Sequence, residues 1–68
     1  MKELTIINAL NLIMENKLST DQLYFWVEDV GYVQVTAIYF YTGGINVHNH
    51  EIDIDTDFAF TDKIFVIK

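Results

Sequence analysis

Cysteine, proline and arginine are absent from this 68-residue chain, and glycine occurs only at Gly31, Gly43 and Gly44. Without cysteine there is no disulfide framework, thiolate zinc site or cysteine nucleophile. Without arginine there is no guanidinium fork to grip a phosphate or carboxylate with two parallel bonds. Ser19 is the only serine, and Gly43-Gly44 leads into a strand-like segment rather than a helix, so the pair does not form a phosphate-binding loop. No apolar run is long enough to span a bilayer, and no apolar segment precedes a small-residue cleavage site. These absences point to a soluble, cytoplasmic, non-catalytic protein with no cofactor and no bound metal.

Apolar residues make up 51% of the chain and aromatic residues 15%, too much for intrinsic disorder. One domain, 1–68, is the expectation. A domain this small buries only about 60% of its extended-chain surface and usually needs a staple. With neither disulfide nor metal in prospect, aromatic packing and self-association remain, and a homodimer is expected.

Glu3 to Lys17 reads as an amphipathic helix, with Leu4, Ile7, Leu10 and Met14 at spacings of three and four and Ile6, Ala9 and Ile13 widening the arc. The next segment supports two readings. Leu23-Tyr24-Phe25-Trp26-Val27 favours a strand followed by a turn at Asp29. Ser19-Thr20-Asp21-Gln22, however, is a capping-box pattern, and Gly31 suits a left-handed helix stop. These start and stop signals agree with a helical face of Leu23, Trp26, Val27 and Val30, which favours a second helix over 20–30. On that helix Phe25 shares the polar face with Glu28 and Asp29, making an exposed docking point.

From Tyr32 onward the chain reads as sheet. Tyr32–Thr42 and Ile45–Ile54 form a hairpin about Gly43-Gly44, with Thr42 opposite Ile45, Tyr39 opposite His48 and Val35 opposite Ile52. Phe58–Phe60 and Ile64–Ile67 supply one or two further short strands. The expected fold is α+β: one or two N-terminal helices on a three- to four-stranded antiparallel meander. In this register the apolar surface changes face along the hairpin. Ile38, Phe40 and Val47 then form a second patch near the turn, which an intermolecular contact would cover.

Glu51, Asp53, Asp55 and Asp57 are acidic at every second position. On a strand they would point one way, about 6.6–6.8 Å apart, as a solvated face or as an imitation of nucleic-acid phosphates. Asp53, Asp55 and Asp57 also begin like a calcium loop. Phe58 stands where that loop needs glycine, and Ile64 where it needs a bidentate glutamate. His48 and His50 share a face but lack a third convergent ligand in this register, so they read as a partly exposed pair able to confer pH sensitivity.

Ten acidic residues oppose four lysines, for a formal charge of −6, and no lysine lies between Leu18 and Asp62. Direct binding to nucleic acid or to an anionic membrane is disfavoured. A basic protein surface is the favoured partner. In size and charge the chain resembles small acidic proteins of phages and mobile elements, including anti-CRISPR and anti-restriction inhibitors. That resemblance implies a protein-binding inhibitor that occupies the nucleic-acid-binding surface of a defence nuclease complex. Glu51, Asp53, Asp55, Asp57, Glu28, Asp29 and Phe25 would be its partner contacts. The alternative is a homo-oligomeric accessory subunit that associates through Ile38, Phe40 and Val47.

Overall fold

Residues 1–67 are described by the structure, a computed structural model. Over these residues the fold is mixed α+β but mostly strand, with one α-helix and two antiparallel sheets. Strands β1 (Lys2–Thr5), β2 (Leu23–Val27), β3 (Gly31–Gln34) and β7 (Lys63–Val66) form sheet A, in the order β1-β7-β2-β3. Strands β4 (Ala37–Tyr41), β5 (Gly44–Asn49) and β6 (Ile54–Phe58) form sheet B, in that order. The single expected meander is therefore two sheets.

The N-terminal helix, α1, covers Ile6–Met14 rather than 3–17, because Lys2–Thr5 pairs with β7. Thr5 Oγ1 caps it, accepting from the Asn8 amide at 3.3 Å. Its first two amides donate to Asp62 and Phe60 carbonyls. The helix stops in a Schellman motif. Asn16 adopts φ 60, its amide bonds the Ile13 carbonyl, and the Lys17 amide reaches Leu12. Ile6 and Ala9 are the fully buried positions. Ile7 and Met14 are exposed, so the apolar arc is turned from the expected Leu4-Ile7-Leu10-Met14 stripe.

The second helix is absent. The capping box is real: the Ser19 amide donates to Gln22 Oε1 at 3.0 Å. It closes only one 3-10 turn, Thr20–Gln22, and Leu23 is already extended at ψ 144. Period two then governs: Leu23 and Phe25 are fully buried, while Trp26 is exposed. A three-residue turn with Asp29 at φ 70 leads back to Gly31.

The long strand expected over 32–42 breaks at a corner. The Val35 amide donates to the Leu23 carbonyl in sheet A, and the next amide, of Thr36, donates to His48 in sheet B, each at 2.9 Å. The chain passes from one sheet to the other within a single residue step. This explains the apolar surface that changes face. Val33 and Val35 line the inside of sheet A, and Ile45 and Val47 line the inside of sheet B. One core joins them with Ile6, Ala9, Leu23, Phe25, Ile64 and Val66. Phe25 and Phe58 meet edge to face across it, centroids 6.4 Å apart.

The hairpin register is also corrected. Tyr41 opposes Gly44, Phe40 opposes Ile45 and Ala37 opposes His48, so the turn is Thr42-Gly43. Gly44 opens β5 opposite Tyr41, and a Cβ there would stand 2.6 Å from the Phe58 carbonyl oxygen, so the position takes only glycine without a shift of the backbone. The slip is even in residue number, so the side chains of β4 and β5 keep their faces.

Candidate functional site

The outer face of sheet B gathers most of the chemistry-bearing side chains. Cross-strand pairing sets Ala37, His48 and Asp55 in one row and Tyr39, Asn46 and Asp57 in the next. Asn46 organises the carboxylates: its Nδ2 donates to Asp55 Oδ2 at 2.6 Å and to Asp57 Oδ1 at 2.9 Å. One amide group thus holds two like charges on the same face of β6. Beside them, partial desolvation and then the charge and hydrogen bond of Asp57 push the Tyr41 phenol above its ordinary range.

The two histidines stand at the other end of this face. Their ring centroids are 4.1 Å apart. His48 Nε2 lies 3.2 Å from Asp53 Oδ1, and His50 Nε2 shares a 2.9 Å hydrogen bond with the Tyr39 hydroxyl. Among the described residues, no three His, Asp or Glu side chains stand where they could hold one metal ion.

The expected acidic row is only partly regular. Asp55 and Asp57 share β6, whereas Glu51 and Asp53 occupy the β5–β6 turn, with Asp53 at φ 54. Equal spacing along a strand therefore does not extend to the first pair. Glu28 and Asp29 are exposed in the β2–β3 turn, on the other sheet. Phe25 is wholly buried and cannot be a docking point: period two turns it inward, where a helix would have turned it out.

The residues expected to mediate self-association divide. Ile38, Phe40 and Val47 do share a face, but Val47 is wholly buried in the chain's own core, Ile38 is half-buried, and Phe40 is 66% exposed. Ile38 and Phe40 line a groove of about 540 Å³ between β4 and α1, together with Ile7, Leu10, Ile13 and Met14.

Two asparagines escaped sequence reasoning. Asn46 carries no sequence signal, since its role depends on the register of β5 against β6. Asn49 is 5% exposed. Its Nδ2 donates to the Gln34 carbonyl at 2.8 Å, and its Oδ1 accepts from the amides of Glu51 and Ile52. A strand-ending asparagine with amides two and three residues on is an Asx-turn signal, legible in principle.

No protein family, curated protein or solved structure matches the chain. Among the described residues, no helix is long and apolar enough to cross a membrane.

Proposed function

We propose that this chain is a small, non-catalytic protein-binding module whose sheet-B face docks on a basic surface of another protein. The supporting observation is segregation of charge. Asp53, Asp55 and Asp57 lie on or beside that face with Glu51 in the adjoining turn, and sheet B contains no lysine. Lys2 and Lys63 belong to sheet A, and Lys17 follows α1, 3.4 Å from Glu15. Tyr39 and Tyr41 add half-exposed aromatic area beside the carboxylates, the combination that anchors a charged interface.

The finer reading is competitive inhibition. A basic surface that normally grips nucleic acid is met by carboxylates in place of phosphates, as in the anti-CRISPR or anti-restriction type. Asp53, Asp55 and Asp57 are the principal contacts, with Glu51 at the rim. Glu28 and Asp29 serve only a partner large enough to reach the other sheet.

The test is retention of bacterial lysate proteins on the immobilised chain, with and without added DNA and salt, identified by mass spectrometry. A nucleic-acid-handling protein should be retained, displaced by DNA, weakened by salt, and lost with Asp53→Asn/Asp55→Asn/Asp57→Asn. Partners indifferent to DNA and to the triple substitution would overturn the reading.

A further inference from the structure

Exposed sheet edges invite pairing with another chain and are normally blunted by charge, proline, bulges or brevity. Three of the four edges here are blunted. Edge strand β1 carries Lys2 and Glu3, and β6 carries Asp55 and Asp57. β3 has four residues and starts on Gly31 at φ 103. β4 has no such protection. It reads Ala-Ile-Tyr-Phe-Tyr, with neither charge nor proline, and Tyr39, Phe40 and Tyr41 are all exposed. Beside it runs the α1–β4 groove, whose lining includes no ionisable side chain.

We propose that β4 pairs antiparallel with β4 of a second copy of this chain, joining two three-stranded sheets into one of six strands. Charge selects the place, and self-complementarity the occupant. Two chains at −6 each can meet closely only where carboxylates do not oppose one another, and β4 with its groove offers such a surface. Geometry agrees, since a strand laid antiparallel on itself is self-complementary about a two-fold axis. Full overlap puts Tyr39 on the axis and Ile38 of one copy opposite Phe40 of the other, so each Phe40 helps to close the mouth of its neighbour's groove.

Size sets what the pairing must cover. A standard interface takes roughly 800 Å² per partner, about a fifth of the 4415 Å² this chain exposes. Phe40, Met14, Ile7 and Phe60 are large apolar side chains left exposed around the groove. Their burial offsets the small core of a 68-residue chain. Pairing about an axis normal to the sheet also turns both outer faces the same way, giving one surface with two acidic clusters flanking four tyrosines. Only a docking role for that combined surface rests on the reading above; the strand pairing does not.

Sedimentation equilibrium of the purified chain alone tests the pairing, so it is independent of any docking partner. A reversible dimer is expected, tightening with added salt as like charges are screened, the opposite sign from docking on a basic partner. Phe40→Lys should keep the native circular dichroism and weaken association about thirtyfold or more, the loss of one hot-spot side chain. Amide exchange of the unsubstituted chain gives a second readout that needs no variant: β4 amides should gain protection with concentration while those of the β6 edge do not. A monomer at every concentration would overturn the proposal. So would a dimer that leaves β4 exchange unchanged or is indifferent to Phe40→Lys.

Discussion

Asn49 is the residue on which the sheet-B turn and the corner between the sheets both depend. It fastens the Gln34 carbonyl, near the point where the chain changes sheets, to the turn that begins the acidic segment. Asn49→Ala removes three hydrogen bonds from a nearly buried position, and strands the Gln34 carbonyl. A loss of about 2–3 kcal/mol is expected, read as a lower urea midpoint with an unchanged slope. No loss would mean that water replaces the side chain without penalty. Tyr41 gives the second prediction at this scale. Its phenol titrates above the ordinary 10.0 because of partial desolvation first and Asp57 second. Ultraviolet titration should place phenolate formation above that value, and Asp57→Asn should bring it only part of the way back. A folded-state value raised above the unfolded one contributes stability that is fully present below about pH 10. That contribution is lost as pH rises through the folded value.

At the scale of elements, the glycines separate close approach from backbone strain. Gly44 has φ 155 and no room for a Cβ against the Phe58 carbonyl; Gly31 has φ 103 with open space around it. Both alanine substitutions incur strain of about 1–3 kcal/mol. Only Gly44→Ala must also push β6 away from β5, so its thermal midpoint should fall well below that of Gly31→Ala. Equal losses would show that the backbone contact yields freely. The same glycine explains a misreading. Gly43-Gly44 announces a hairpin turn, and a hairpin is there, but Gly44 pairs with Tyr41 in the ladder, where the Phe58 carbonyl leaves room only for glycine, and the turn moves to Thr42-Gly43. The capping box at Ser19 likewise announces a helix start and delivers one 3-10 turn. Its rival signal, the strand-favouring run Leu23–Val27, prevails because burying Leu23 and Phe25 between two sheets outweighs a local cap. Sheet character from Tyr32 onward, the faces of the hairpin and α1 itself were legible in local pattern. The corner at Val35-Thr36 was not, since two consecutive amides bonding different sheets leave no periodic trace. The acidic residues were legible as a cluster. Their arrangement was not, because Asn46 and the β5–β6 turn arrange them through contacts distant in sequence.

For the whole molecule, the balance of charge sets the response to salt. Ten acidic side chains face four lysines, and the ion pairs among the described residues are Lys17 with Glu15 and the contact of His48 with Asp53. Lys17–Glu15 is exposed on both sides and contributes little. The expectation is that repulsion within the acidic face outweighs these attractions, over distances that salt screens, with a Debye length of about 8 Å at physiological ionic strength. Thermal stability should rise as sodium chloride is added from low ionic strength. Asp55→Asn isolates the source, because its amide oxygen still accepts from Asn46 while one of two neighbouring charges is gone. The variant should be more stable than the parent at low salt and lose that advantage at high salt. A relief of about 1 kcal/mol corresponds to roughly 4–8 °C for a domain of this size. A midpoint that falls with salt, or an Asp55→Asn variant less stable at low salt, would show that the carboxylates are held by attractions stronger than their mutual repulsion. The sheet-B face would then be built for the stability of the chain itself, and the case for its serving a basic partner would lose its physical ground.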